Sequence, residues 1–563
     1  MNSSKPAASA AAWCCRSTDP VAEVFQRFVA LALFLPALAT AVPTAGPTAA
    51  APPVLDIGAT RYLGLHQLDG DVEAFLGLPF AEPPVGERRW RPPEVIAPRA
   101  GTVIAQGPAP ACLQGGYMAA WYEDLAAGFG APPESIDAPP EREDCLYLNV
   151  WRPRERAETP LPVLVFIHGG ANAGGWSWEP NYDGARLASR GLLVVTVAYR
   201  VGVFGFFSHP ALEHANYGLL DQVAALEWVH RHAEALGADP RRVTVMGESS
   251  GGNNIIHLLV SPLAEGLFRR AAVQSAGWAL QGAPRKADQE ALGLELQAEL
   301  LAAHRADGEG APREAPIDAD ALAAMRRLPA ATVFDAAQEV YADHFFDPVI
   351  DGRSVLEPVA DSVAAGRFSP VDLLIGSNAD EWRMYLAEDA SLDDWASEGL
   401  PPAARPSVAR RLGEEEDPRR ALDRAVTAYQ MLCPSLALSD AVRQRDGRSW
   451  AYWFTRQRPG ARGAELGAYH GAELPYLFDT HDPWLPTDSA DRALTEHLMG
   501  YWVRFVQSGD PNTVGAGASA PRWPPYAGGG RVLRLDTDLR PVHHPDWPLC
   551  AALRVGATEM PRQ

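Results

Sequence analysis

Apolar positions recur along this chain with two different spacings. Short, nearly uninterrupted runs at residues 161–167, 243–246 and 371–375 predict β-strands, the first of them buried on both faces. Amphipathic runs at residues 219–235 and 254–260 predict helices. Strands that alternate with helices in this way predict an α/β fold, a mostly parallel sheet covered by helices. Two less regular stretches, residues 282–340 and 387–431, are rich in Ala, Arg, Asp and Glu and predict helical cap segments set over that body.

A further apolar run stands near the start. Arg27 precedes residues 28–38, Pro36 interrupts them, and Ala39-Thr40-Ala41 supplies a small-residue cleavage pattern. Residues 1–41 are therefore expected to be a secretory signal peptide, because the run is too short to span a membrane. The Pro-, Ala- and Thr-rich tract that follows reads as a flexible lead-in to one domain occupying residues 42–563.

The run at 243–246 leads into Gly247-Glu248-Ser249-Ser250-Gly251, and a helical pattern leads out. A Gly-x-Ser-x-Gly segment between strand and helix predicts a sharp turn with the serine hydroxyl exposed at the top of a sheet, the setting of a nucleophile. Residues 161–167 end in His168-Gly169-Gly170-Ala171-Asn172, a loop whose backbone N–H groups suit a developing oxyanion. The donors expected are the amides of Gly170, Ala171 and Ser250. Further on come Gly376-Ser377-Asn378-Ala379-Asp380-Glu381 and, much later, Gly467-Ala468-Tyr469-His470-Gly471, followed by Glu473. Serine, acid, histidine is the chain order of an α/β-hydrolase. His470 fits the base that takes the Ser249 proton and returns it to a leaving group, while a carboxylate holds the imidazole. On sequence logic alone Glu381 and Asp380 both fit that carboxylate. His168, His214, His230, His257, His344 and His497 compete for the base, and only the glycine-rich loop ahead of His470 favours it.

Candidate residues spread from His168 to His470 require one large fold to gather them. A net charge of −21 excludes the basic surface that nucleic-acid binding needs. It favours solubility, and an electronegative mouth would disfavour anionic esters through steering. Removing residues 1–41 leaves Cys112, Cys145, Cys433 and Cys550, an even number that an oxidising compartment allows to pair. The sequence has no Cys/His spacing of the zinc type and no strand followed by Gly-x-Gly-x-x-Gly, so neither metal nor organic cofactor is expected.

The ordered set of short motifs resembles the type-B carboxylesterase and cholinesterase family almost end to end. It runs from Phe75-Leu76-Gly77-Leu78-Pro79-Phe80 and Glu143-Asp144-Cys145-Leu146 through Ala198-Tyr199-Arg200-Val201-Gly202 and Gly218-Leu219-Leu220-Asp221-Gln222 to the Ser249 segment. Gln274-Ser275, residues 376–381, the His470 segment and Gly509-Asp510-Pro511-Asn512 complete it. The resemblance implies that Glu381 is the acid, that His470 is the base and that Glu248 lies near the catalytic pocket. It also implies Cys112–Cys145 and Cys433–Cys550 bridges. Four positions depart from the family pattern: Ala171 and Asn172 stand where Gly and an aromatic residue are usual, Ser250 replaces Ala, and Trp382 follows the acid in place of Gly. Asn172 is expected to bring an amide near the acyl site. Tyr117, Trp121 and Tyr122 are expected near the entrance or in the packing of the first bridged loop. No tryptophan precedes Cys145 closely, where choline-binding relatives keep one, which argues against a cholinesterase.

The resulting expectation is a secreted or periplasmic serine esterase that acts on short- to medium-chain or aryl esters through a Ser-His-Glu triad. It needs no cofactor, binds no nucleic acid and has no stable membrane span. Alternatives are a specialist for a complex natural ester, a type-B lipase, and a binding module that uses the fold without the chemistry.

Overall fold

The computed structural model describes residues 51–557 except 98, 156, 307–318, 401 and 513–519. The expected signal peptide, residues 1–41, lies outside the described residues. Eleven strands make the main sheet. In chain order they are β1 Leu65–Gln67, β2 Val72–Pro79, β3 Tyr147–Pro153, β4 Leu161–Ile167, β5 Leu193–Val197 and β6 Ala238–Glu248. Then follow β7 Arg270–Gln274, β8 Asp372–Asn378, β9 Ser449–Phe454, β10 Arg531–Leu535 and β11 Arg540–His543. In space the order is β11-β10-β9-β8-β7-β6-β4-β5-β3-β2-β1. The pairs from β5 through β10 are parallel, and antiparallel strands close both edges.

The apolar runs follow from this topology. A strand covered by helices on both faces has no solvent side, so polar alternation disappears. Val163, Val165 and Ile167 of β4 enter one core, with Leu226, Ile255 and Leu258 from the helices Tyr217–Arg231 and Ser250–Val260. Leu164 and Phe166 point the other way, into a second core with Leu498, Trp502 and Phe505 of the helix Ser489–Ser508. The helical run at 219–235 resolves into Tyr217–Arg231 and a separate turn, Ala233–Leu236. The run at 254–260 starts earlier, at Ser250, directly after the serine.

Both cap stretches are helical. The first holds Lys286–Ala306, Ala319–Arg327 and Ala330–Val340, and Leu296, Met325 and Val333 pack there around Trp90 and Phe207. The second holds Leu392–Gly399, Arg405–Leu412 and Pro418–Thr427. Its core includes Cys433 and Cys550, which are bonded across a sequence separation of 117. Cys112 and Cys145 form the other bridge, across a separation of 33. Loop-closure entropy gives such bridges about 4 to 5 kcal/mol each.

Two of the family-like motifs meet as a buried ion pair. Arg200 Nη2 and Nε donate to Asp221 Oδ1 and Oδ2 at 2.7 and 2.8 Å, and the Arg200 backbone N–H adds a third bond at 3.0 Å. Both residues are buried. Removing one partner leaves an uncompensated charge in the interior, which costs about 3–5 kcal/mol. Asp221→Asn is accordingly expected to lower the unfolding free energy by about that amount, read as an earlier chemical-denaturation midpoint with an unchanged slope. An unchanged midpoint would show that the pair contributes nothing net.

Candidate active site

The candidate residues gather at the carboxyl ends of adjacent parallel strands, where ligand sites of α/β sheets form. β6 ends at Glu248, and Ser249 turns the chain directly into the helix Ser250–Val260 with φ 56° and ψ −130°. A non-glycine residue at positive φ is strained. Here the surrounding glycines make the turn possible. A Cβ on Gly251 would lie 2.2 Å from the Ile167 carbonyl oxygen, and one on Gly247 would lie 2.7 Å from the Gly251 carbonyl carbon. The Ser249 N–H donates to the Gln274 carbonyl at 2.9 Å, which ties the turn to the end of β7.

The loop after β4 lies against this turn. A Cβ on Gly169 would lie 2.9 Å from both Ser249 Cβ and Glu248 Oε2. Gly170, Ala171 and Asn172 have φ of 99°, 55° and 54°. The amides of Ala173 and Gly174 donate to the Gly170 carbonyl, and that of Asn172 donates to Ser250 Oγ at 3.1 Å. Among the described hydrogen bonds, the amides of Gly170, Ala171 and Ser250 donate to nothing.

β8 ends at Asn378, and the next residues pair with the segment before His470. The Asp380 N–H donates to the Ala468 carbonyl at 3.1 Å, and the Ala468 N–H donates back to Asp380 Oδ2 at 2.9 Å. That pairing employs Asp380 in holding the two loops together and leaves Glu381 against the imidazole. His470 Nδ1 lies 2.6 Å from Glu381 Oε2, while Glu381 Oε1 accepts the Asn378 N–H at 2.6 Å. On its other side, His470 Nε2 is 3.3 Å from Glu248 Oε1. Glu248 thus links serine and histidine, since it adjoins Ser249 in the chain and touches His470 through its side chain. Tyr385 stands edge-on to the His470 ring with centroids 6.1 Å apart, and Trp382 packs against Tyr385. The Trp382 N–H donates to buried Asp423 of the helix Pro418–Thr427 at 2.6 Å, so the cap reaches the acid loop directly.

The competing histidines do other work. His168 is buried, stacks on Tyr199 and turns Nδ1 to its neighbour's carbonyl. Burial pushes its pKa down to about 4. His257 is buried in the helix behind the serine, His230 faces the Leu267 carbonyl, and His344 is exposed. Asn172 lies in the loop after β4, against Ser250. Its side chain is fully buried and its carboxamide turns to Asn254 and Tyr199. Met118, Ala119 and Tyr122 of the helix Tyr117–Gly128 pack a small core of their own with Trp176, while Tyr117 stays exposed beside Gly174.

Three residues that stand in the sequence motifs without an assigned role support the base loop. Buried Glu473 accepts from Gln274 Nε2 at 2.8 Å and from Asn378 Nδ2 at 2.7 Å, and that Asn378 amide also reaches the Tyr469 carbonyl. Gln274 and Asn378 are the last residues of β7 and β8, so Glu473 anchors the 469–473 segment to the sheet. The available signal was a polar residue at the carboxyl end of each of two strands with apolar centres.

Electrostatically, one imidazole faces a set of buried carboxyls. Burial pushes Glu248 up to about 8, with nearby Glu473, Glu381 and Glu179 adding to the rise and the His470 charge opposing it. Burial alone would lower His470, but Glu248, the Glu381 hydrogen bond and Glu473 outweigh it and raise the group to about 9. The two titrate as a coupled pair, held in common by the 3.3 Å contact.

The fold is that of an α/β-hydrolase, and the chain belongs to the carboxylesterase family, whose model matches residues 58–546. It is 33% identical to the fumonisin B1 esterase of Sphingopyxis macrogoltabida over 532 residues, 89% of each chain. It is 31% identical to the para-nitrobenzyl esterase of Bacillus subtilis (strain 168) over 499 residues, covering 85% of this chain and 94% of that one. A solved para-nitrobenzyl esterase structure superimposes with a TM-score of 0.71 at 27% identity, covering 89% of this chain and 99% of the other. The protein is therefore a carboxylic-ester hydrolase.

A base must be neutral to accept a proton, so a raised His470 pKa would move the acid limb of any activity that uses this imidazole as its base to higher pH. kcat/KM is expected to climb as pH rises through a midpoint above the ordinary histidine range. Glu248→Gln removes the carboxylate from Nε2 and is expected to move that midpoint down. A pH–rate profile of both proteins checks this; an unmoved limb would mean that Glu248 does not act on the titrating group.

Proposed function

We propose that this esterase works through a Ser249-His470-Glu381 triad. Ser249 attacks the ester carbonyl as His470 Nε2 removes its proton, and Glu381 holds the Nδ1 side of the ring and stabilises the imidazolium. The amides of Gly170, Ala171 and Ser250 receive the oxyanion. His470 then protonates the departing alcohol, and water, activated by the same base, releases the acid from the acyl-enzyme. The observation that carries this reading is the His470–Glu381 contact of 2.6 Å, set beside a strained serine turn and unengaged loop amides.

The substrates we propose are short- to medium-chain or aryl esters, hydrolysed by one domain spanning residues 42–563. A second reading, a specialist for a larger natural ester, is favoured by 33% identity to a fumonisin B1 esterase over 89% of both chains and by the altered loop at Ala171 and Asn172. Two disulfides are consistent with an extracellular or periplasmic protein. Among the described residues no helix is long and apolar enough to cross a membrane. We place export under the control of the signal peptide at residues 1–41. N-terminal sequencing of exported protein is expected to begin at Val42, and an intact Met1 on exported protein would contradict it.

The direct test is hydrolysis of para-nitrophenyl esters from acetyl to palmitoyl, with fumonisin B1 in the same panel and Ser249→Ala alongside. Short-chain turnover is expected, with a loss of roughly 10⁴–10⁶ in kcat for the variant. Preference for palmitoyl would favour a lipase, and turnover of fumonisin B1 alone would favour the specialist. Activity that survives Ser249→Ala would exclude this nucleophile.

A further inference from the structure

Three of the four departures from the family pattern converge in space. Ser250 Oγ accepts the Asn172 backbone N–H at 3.1 Å, and both residues are fully buried. Behind that contact the Asn172 carboxamide closes against Asn254, whose Nδ2 donates to Asn172 Oδ1 at 2.8 Å with a return bond at 3.4 Å. Tyr199 joins the group: its hydroxyl reaches Asn172 Oδ1 at 3.3 Å and the His168 carbonyl at 2.9 Å. The Asn172 carbonyl in turn accepts the Gly202 N–H at 2.6 Å. Every polar atom of Asn172 is therefore engaged on the side away from solvent, and Ala171, the third departure, is held directly next to it.

This arrangement matters because of the backbone it holds. Ala171 and Asn172 are successive non-glycine residues at positive φ. A left-handed alanine costs about 1 kcal/mol or more, whereas asparagine tolerates the region better. An unrestrained loop would relieve the alanine by rotating the peptide that joins Gly170 to Ala171, and that rotation would carry away the Ala171 N–H group. The serine turn adds to the restraint that the Ala173 and Gly174 amides place on the Gly170 carbonyl, since the hydroxyl that grips Asn172 belongs to the residue whose own N–H is the third donor.

We propose that the Ser250 hydroxyl, backed by Asn172 and Asn254, is a positioning group that locks the oxyanion loop to the nucleophile turn, so that the three amides act as one rigid donor set. In this chain it replaces a glycine's freedom with a buried polar clamp. The inference rests on the serine-hydrolase reading and extends it. Preorganised donors lower the barrier because they need no reorganisation as charge develops, and losing one costs about 10²–10³ in rate; loosening one by partial rotation is expected to cost about 10 to 100-fold.

The test is Ser250→Ala, which deletes one atom and leaves the amide in place. Expected are a kcat lowered by about 10 to 100-fold with KM within about threefold, weaker inhibition by phenylboronic acid in proportion, and an acid limb of the pH profile that does not move. Hydrogen–deuterium exchange of residues 168–176 is expected to accelerate. Adding Ala171→Gly, which relieves the left-handed strain, is expected to recover part of the lost kcat. Asn254→Ala, one contact further out, is expected to give the same signature more weakly. Unchanged kcat and boronate inhibition in folded Ser250→Ala, unchanged exchange, or a rise in KM alone would each overturn the clamp. A wild-type protein that hydrolyses no ester and takes no label at Ser249 from a phosphonofluoridate would sink the hydrolase reading itself. Active, labelled wild type with an insensitive Ser250→Ala would sink only the clamp.

Discussion

The site depends on a close approach of backbone to backbone. Between β6 and the following helix the chain reverses so sharply that Ser249 takes a positive φ, and neighbouring strands leave no room for side chains at Gly247 and Gly251. That crowding explains why the turn is rigid. It cannot relax without separating β6 from β4, two of the most deeply buried strands in the molecule. Local strain at Ser249 is thus held by cooperative packing across the sheet. The carboxyl-end loops then need only to reach the serine, and each is tied to a strand terminus that does not move.

Around that point the protein places more acid than base. Glu248, Glu381 and Glu473 are buried near a single imidazole, and Asp380 and Asp423 stand just beyond. An isolated buried carboxylate is unfavourable. Here each one accepts a hydrogen bond or contacts the imidazole: Asn378 and His470 for Glu381, Gln274 and Asn378 for Glu473, Ala468 for Asp380, and Trp382 for Asp423. Glu248 has the thinnest support, with Oε1 meeting only the histidine ring. The cluster favours the imidazolium, the species that the proposed mechanism generates as Ser249 is acylated. The same bias stabilises the resting cation, so the pocket trades readiness at low pH for stabilisation once reaction begins.

Much of the framework could be read from the chain because burial on both faces leaves an unambiguous imprint. Residues 161–167 have nowhere to put a polar side chain, and the glycines beside Ser249 mark a turn too tight for any larger residue. The base was harder to find, since one histidine looks like another until Asp380 and Ala468 bring two distant loops together. Glu473, Gln274 and Asn378 were hidden for the same reason, their roles being defined by partners 95 to 199 residues away. In the sequence Asn172 reads only as an amide near the acyl site; its partners Asn254, Tyr199 and Gly202 form a buried set that only the folded chain assembles. Cap boundaries were indistinct because short amphipathic helices pack on a separate small core and carry little periodic signal.

The order of the chain through the sheet has a temporal meaning. β8, which delivers Glu381, lies between β7 and β9, and β9 precedes the histidine loop that closes onto it. On the proposed reading, the serine turn, the oxyanion loop and the acid all precede the base in the chain, so about the final sixth of the sequence, from Gly467 on, must dock before the proposed nucleophile meets its proton acceptor. Turnover would thus report that this last segment has reached the carboxyl ends of the sheet.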